Sequence, residues 1–195
     1  SMTDEEAWAK TGSIGKPLMF TEARVMDNDC KEAGVDEIGE LCFRGPHVSA
    51  GYWKNPQATA ESRDKQGWFH TGDMARRDAD GFFYIAGRAK DMFISGGVNV
   101  YPAEIENTLL QHPALADAAV IGVPHSTWGE VGVAFVVTTE DVDVTPEEVG
   151  EFLGSRLARY KIPKEFRVVD ELPRTAYGKV VKGELVEAWK KEHEN

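Results

Sequence analysis

The chain has 195 residues, of which 42% are hydrophobic and 28% charged, so it can form one medium-sized domain or a small domain with a further segment. Its formal net charge of −11 argues against a nucleic-acid partner, because phosphate binding needs clustered Lys and Arg, although a few local cations would suffice for a small anionic ligand. No apolar run approaches the roughly 20 residues of a membrane-spanning helix, so no transmembrane segment is expected.

The first part of the chain has the pattern of strands joined by turns. Residues 20–26, 38–44 and 82–86 show the alternating or short apolar runs that are typical of strands. A turn rich in Asp and Gly, Asp78-Ala79-Asp80-Gly81, precedes the last of them, and one short helix is expected around 56–63. This pattern predicts a strand-rich segment that buries little core by itself.

The pattern changes near residues 88–91, after which helices and strands alternate. Gly96-Gly97 followed by Asn99 predicts a hairpin within 94–100. Thr145, with Pro146 and Glu148 after it, forms a capping-box pattern at the start of a helix. Further elements are predicted as a helix from Pro102 that ends before Pro113, a helix over 181–191, and strands over 116–123, 131–139 and 165–169. The whole chain is therefore assigned to the α+β class.

Two stretches carry residue types suited to binding a nucleotide and a carboxylate. The first is Gly67-Trp68-Phe69-His70-Thr71-Gly72-Asp73, in which a carboxylate follows a glycine and can accept two hydrogen bonds from a ribose diol. The second is Pro173-Arg174-Thr175-Ala176-Tyr177-Gly178-Lys179, which presents a lysine directly after a glycine turn. Taken alone, each stretch is also compatible with an ordinary turn.

These two stretches resemble motifs of the AMP-forming acyl-CoA synthetases, the acid–CoA ligases of the adenylate-forming superfamily. A third stretch, running from Gly87-Arg88-Ala89-Lys90-Asp91 to Gly96-Gly97-Val98-Asn99-Val100-Tyr101-Pro102, is similar to the same family. The resemblance implies that residues 1–87 are the final β-subdomain of the large N-terminal domain and that 88–195 are the small, mobile C-terminal lid domain. The Ser/Thr/Gly-rich phosphate loop of such enzymes does not occur in the sequence. A C-terminal part that is inactive without the missing N-terminal domain is therefore expected.

The resemblance also implies roles for individual residues. Asp73 and Arg88 would bind the ribose of ATP or AMP, and Lys90 would lie at the hinge on which the lid domain rotates. Lys179 would stabilise the transition state of adenylation. Ser95, Gly96 and Gly97 would line a tunnel for the pantetheine arm of CoA.

Basic residues near 156–164 add a further candidate contact. Arg159, Lys161 and Lys164 match the family and could meet the phosphates of CoA, although a solvated basic helix end explains them as well. The stretch 39–46 also resembles a family motif, and it is interpreted as scaffold. Neither the two cysteines nor the five histidines show metal-type spacing, so no metal site is expected beyond the Mg²⁺ that accompanies ATP.

The carboxylic acid substrate is less well defined by the sequence. Residues 90–97 resemble fatty acid–CoA ligases, which favours a fatty acid, and aryl acids such as cinnamates or benzoates are the alternative. The same motifs occur in peptide-synthetase adenylation domains and luciferase-like oxygenases, and a non-catalytic adenylate-binding module is a further alternative. Two cysteines without a disulfide pattern favour a cytoplasmic protein. Exposed apolar edges in the first part would favour a dimer induced by truncation.

Overall fold

A computed structural model describes residues 1–139, 142 and 144–193. The chain divides into two compact units, Ser1–Lys90 and Asp91–Asn195, whereas the sequence placed the division after Gly87. Residues 194 and 195, at the end of the predicted lid domain, lie outside the described residues. Among the described residues, no helix has both the length and the apolar character needed to cross a membrane. The predicted α+β class is confirmed.

The first unit is built on a four-stranded antiparallel meander. Its elements are helix α1 (Asp4–Ala9), strands β1 (Glu22–Met26) and β2 (Gly39–Arg44), helix α2 (Pro56–Glu61), and strands β3 (Phe69–Arg77) and β4 (Phe83–Arg88). The strands pair in the order β1-β2-β3-β4. Alternation along β1 and β2 places Val25 and Leu41 in one apolar cluster and Met26 and Cys42, with Trp68, in another.

Two elements of this unit were not predicted from the sequence. Strand β3 has a single buried residue, Ala75, because most of its side chains are polar and half-exposed, so it lacks the apolar alternation that signals a strand. Helix α1 has no buried residue and is held by a capping box between Thr3 and Glu6. Both elements are specified by hydrogen bonding, which a hydrophobic pattern does not report.

The second unit surrounds a five-stranded sheet with helices. Its elements are strands β5 (Phe93–Ser95) and β6 (Val98–Val100), helix α3 (Pro102–Leu109), strands β7 (Leu115–His125) and β8 (Gly129–Thr138), helix α4 (Pro146–Gly154), strand β9 (Glu165–Val168) and helix α5 (Lys182–His193). The strand order is β6-β5-β8-β7, and β9 pairs in parallel with β8. The predicted β5–β6 hairpin and the Thr145–Glu148 capping box are confirmed.

Both faces of this sheet are covered. Ile105 of α3 and Leu153 of α4 pack with Val120 of β7 in one buried cluster. The neighbouring β7 residue, Ile121, belongs to a second cluster together with Leu185 of α5. Because successive strand residues point to opposite faces, the continuous apolar run of β7 supplies both clusters, as expected for a strand buried on two sides.

Candidate functional site

A bulge that includes Asp73 interrupts the pairing of β3 with β2. Glu40 pairs with Met74 and Cys42 pairs with His70, so only Leu41 of β2 faces the three residues Thr71 to Asp73 of β3. Extra residues in one strand leave the ladder and bend that strand, and such bulges often re-aim a side chain next to a binding site.

Side-chain contacts replace the lost ladder bonds within this bulge. The Thr71 hydroxyl donates to the Leu41 carbonyl at 2.7 Å, and the Asp73 amide donates to the Thr71 hydroxyl oxygen at 3.0 Å. The Gly72 amide donates to the Glu40 carboxylate at 2.9 Å. Gly72 has φ of +73°, a conformation that glycine adopts without steric cost, so this position favours glycine.

Asp73 forms an ion pair with Arg88 on the adjacent strand. The two residues face each other in the β3–β4 register, and Arg88 Nε lies 2.8 Å from Asp73 Oδ1. Arg88 also donates to the Thr71 carbonyl at 3.3 Å. Within the described residues, Oδ2 of Asp73 accepts no hydrogen bond, and the carboxylate is partly exposed. This arrangement leaves an acceptor and a cation side by side, which suits a vicinal diol.

His70 lies among acidic and thiol groups behind the bulge. Its Nδ1 is 2.7 Å from Glu40 Oε2 and 3.5 Å from Cys42 Sγ, and its Nε2 is 3.9 Å from Asp64 Oδ2. Burial raises the pKa of the Cys42 thiol to about 12, and the Glu40 carboxylate adds to the effect. Ligand atoms of Glu40, Cys42 and His70 lie within 4.8 Å of one another, a clustering that the sequence spacing did not predict.

Lys179 lies on a tight hairpin that joins residues 173 to 181. Arg174 and Val180 form an isolated antiparallel β-bridge, and the Thr175 amide donates to the Lys179 carbonyl at 2.8 Å. Gly178, with φ of +79°, makes the turn directly before the lysine. Lys179 is exposed, and among the described residues its ammonium group forms no ion pair.

The β5–β6 hairpin presents two glycines at its tip. Ser95 is buried, whereas Gly96 and Gly97 are exposed. A Cβ at Gly96 would lie 3.0 Å from the Trp128 ring, whereas a Cβ at Gly97 would have no atom within 4 Å. The surface at this tip is therefore formed by backbone and by Trp128, which is half-exposed.

The remaining predicted site residues have different surroundings. The Lys161 ammonium lies 2.7 Å from both carboxylate oxygens of Glu104, whereas Arg159 and Lys164 are exposed. Lys90 is exposed in a short 3-10 turn, Ala89–Asp91, and is the last residue of the first unit. Lys161 is thus engaged within its own domain, and the other three cations are accessible.

Comparison with known proteins identifies the family. Residues 1–53 match the AMP-binding enzymes, and residues 104–179 match the AMP-binding enzyme C-terminal domain. A feruloyl-CoA synthase of Amycolatopsis is 47% identical over 176 residues, which make up 90% of this chain and 36% of the relative. The chain belongs to the AMP-binding enzymes. A long-chain-fatty-acid–CoA ligase of Escherichia coli O157:H7 is 45% identical over 90% of the chain and 31% of that enzyme.

Solved structures of AMP-binding enzymes give the same result. The o-succinylbenzoate CoA synthetase of Bacillus subtilis, in complex with its acyl-adenylate intermediate, has a TM-score of 0.88 and 39% sequence identity to this chain. The match covers 94% of this chain and 37% of the synthetase. The chain therefore spans about a third of the length of the relatives that it matches.

The sequence pattern missed the residues that contact the bulge carrying Asp73. Glu40 and His70 lie 30 residues apart in sequence, and each was interpreted as part of a motif without a chemical role of its own. One signal was available, because an isolated glycine within a strand often marks a bulge. The partner of the bulge, however, depends on strand pairing.

Proposed function

We propose that this chain supplies the ribose-binding β-segment and the mobile lid domain of an AMP-forming acid–CoA ligase. In the first half-reaction a carboxylate oxygen of the acid bonds to the α-phosphorus of ATP, and the bond to pyrophosphate breaks. In the second half-reaction the CoA sulfur loses its proton, bonds to the acyl carbon of the adenylate, and releases AMP. A domain rotation at Lys90 separates the two steps.

Asp73 and Arg88 are the proposed ribose contacts. The carboxylate accepts hydrogen bonds from the two ribose hydroxyls, while Arg88, paired with Asp73 at 2.8 Å, fixes its orientation and adds a donor. The pair is supported by two adjacent strands, so its geometry is established before the nucleotide binds.

Lys179 is the proposed catalyst of adenylation. Its exposed ammonium, on a hairpin fixed by Gly178, is available to bridge the acid carboxylate and the α-phosphate as negative charge develops on pyrophosphate. This role requires no proton transfer. Removing one such stabilising contact commonly lowers the rate by about 10²–10³-fold.

The β5–β6 hairpin is the proposed wall of the pantetheine tunnel. The absence of side chains at Gly96 and Gly97 leaves room for the thin arm of CoA, while Ser95 supports the hairpin from within. Arg159 and Lys164 are exposed and suit the CoA phosphates. Lys161 is a weaker candidate for that contact because Glu104 already neutralises it.

The single observation that carries this proposal is the joint presence of the Asp73–Arg88 pair and the Gly178–Lys179 turn in a chain that resembles CoA ligases over 90% of its length. The phosphate loop and the acid pocket would then belong to the remainder of the enzyme. Mg²⁺ would accompany the ATP phosphates, and we assign it no ligand in this chain. The two free cysteines are consistent with a cytoplasmic location.

A medium- or long-chain fatty acid is the proposed substrate. The resemblance of residues 90–97 to fatty acid–CoA ligases and the 45% identity to a long-chain-fatty-acid–CoA ligase support it. The 47% identity to a feruloyl-CoA synthase supports aryl acids as the second candidate. A panel of fatty and aryl acids, tested with the full-length protein, decides between them.

The test of the proposed function compares the full-length protein with its Lys179→Ala variant in each half-reaction. Acid-dependent exchange of pyrophosphate into ATP reports adenylation, and thioester formation from a supplied acyl-adenylate reports the second step. We expect Lys179→Ala to lower the exchange rate at least 100-fold and to change thioester formation less than threefold. Absence of exchange by the unsubstituted protein with every acid would instead support a non-catalytic adenylate-binding module.

A further inference from the structure

The carboxylate of Glu40 contacts two groups at the same time: the bulge that carries Asp73, and His70, the residue directly before that bulge. Oε1 accepts the Gly72 amide at 2.9 Å, and Oε2 lies 2.7 Å from His70 Nδ1. We propose that Glu40 is a positioning residue for the ribose-binding carboxylate, acting through the bulge of β3. This inference rests on the proposed role of Asp73.

The bulge needs such support because its residues lack ladder partners on β2. Its three-residue segment is held by the Thr71 hydroxyl, which both donates to Leu41 and accepts from Asp73, and by the Glu40 carboxylate, which accepts from Gly72. The hydrogen bond from the Gly72 amide to Glu40 has a charged acceptor and is therefore the strongest of the three. Without it, the Gly72 amide would lose its side-chain acceptor.

His70 fixes the position of Glu40 in turn. The imidazole lies between the Glu40 and Asp64 carboxylates, with the Cys42 sulfur beside it. Asp64 Oδ1 accepts two backbone amides, which holds that carboxylate in place. The 2.7 Å contact between His70 Nδ1 and Glu40 Oε2 therefore restrains the Glu40 side chain beside Gly72.

A zinc site formed by the same atoms is the competing interpretation. Two ligands of one tetrahedral Zn²⁺ are separated by roughly 3.3 Å, given metal–ligand distances near 2.0–2.1 Å. The 2.7 Å between His70 Nδ1 and Glu40 Oε2 is shorter and matches a hydrogen bond. The geometry therefore favours a hydrogen-bonded support over a metal centre.

The first experiment measures the KM for ATP and the KM for the acid in the full-length protein. We expect Glu40→Ala to raise the KM for ATP about tenfold, as for loss of a hydrogen bond to a charged acceptor, and to leave the KM for the acid within twofold. Glu40→Gln should stay within about threefold of the parent for both, because its amide oxygen still accepts the Gly72 amide. Glu22→Ala removes an exposed carboxylate paired with Arg44 on the same sheet and should change neither constant.

Asp73→Ala, measured in parallel, separates failure of the inference from failure of the proposed function. If Asp73→Ala raises the KM for ATP and Glu40→Ala does not, the ribose assignment stands and the positioning role is overturned. If Asp73→Ala leaves the KM for ATP unchanged, the ribose assignment fails and the inference falls with it.

A second measurement does not require activity. In the 195-residue chain, amide hydrogen exchange at Gly72 should become at least tenfold faster in Glu40→Ala than in the parent or in Glu22→Ala. Unchanged exchange at Gly72 would overturn the proposal. Stoichiometric binding of Zn²⁺ that is lost in Cys42→Ser would also overturn it, because the same atoms would then form a metal centre.

Discussion

Residues of the same type differ in this chain according to their partners. Lys161 and Lys179 both lie in stretches that resemble the family, but Lys161 is bound to both oxygens of Glu104, whereas Lys179 has no ion pair among the residues that the structure describes. A partly buried ammonium paired with a carboxylate is already neutralised, while an exposed one can respond to charge that develops on a substrate. The sequence resemblance assigned these two lysines different roles, but it did not show that Glu104 pairs with Lys161.

The two cysteines provide a prediction at the scale of single residues. Cys42 is fully buried and its pKa is raised to about 12 by burial, whereas Cys30 is exposed. Since the thiolate is the reactive form, we expect an aromatic disulfide reagent at pH 8 to modify one thiol rapidly in the folded 195-residue chain and the second only in denaturant. In Cys30→Ser the rapid phase should disappear. A rapid phase that persists in Cys30→Ser would mean that Cys42 is accessible.

Short elements carry most of the proposed chemistry. The β5–β6 hairpin, the bulge of β3 and the 173–181 hairpin all depend on glycines with positive φ, namely Gly97, Gly72 and Gly178. These positions let the backbone come close to a ligand without a side chain between them. The long strands β7 and β8 serve instead as the rigid support, since most of their residues are buried.

At the scale of the element, Gly97→Leu should affect only the second half-reaction. A side chain at Gly97 meets no protein atom within 4 Å, so the fold should lose only about 1–2 kcal/mol from the strain of positive φ. We expect at least 50-fold slower thioester formation with pyrophosphate exchange within threefold of the parent. Gly81→Leu is the matched control, because Gly81 has φ of +83° and is equally free of neighbours. An equal loss of both half-reactions, in either variant, would indicate a folding defect.

At the scale of the molecule, the first unit leaves large apolar side chains in solvent. Trp8, Met19, Phe20 and Trp53 are 85%, 81%, 79% and 89% exposed. Burial of aromatic and aliphatic groups of this size against another protein segment is favourable. This exposure supports the proposal that the unit is normally covered by the remainder of a longer enzyme.

The corresponding prediction concerns self-association. We expect the 195-residue chain to dimerise at micromolar concentration, as measured by light scattering, because burying these side chains is favourable. The double variant Phe20→Ser and Trp53→Ser should be monomeric. Tyr177→Ser removes an equally exposed aromatic from the second unit and should leave the dimer intact. A dimer that survives the double variant would locate the interface elsewhere.

The sequence by itself determined the α+β class, the β5–β6 hairpin, the Thr145 cap and the motifs that contain Asp73 and Lys179. These features depend on neighbours a few residues away, and local hydrogen bonding or burial periodicity encodes them. Only the tertiary structure decided that the Glu40 carboxylate accepts the Gly72 amide and that Glu104 neutralises Lys161. The first contact joins residues that are 32 positions apart in the sequence, and the second joins residues that are 57 positions apart. Strand register and helix packing bring them together, and no local pattern in the chain reports either.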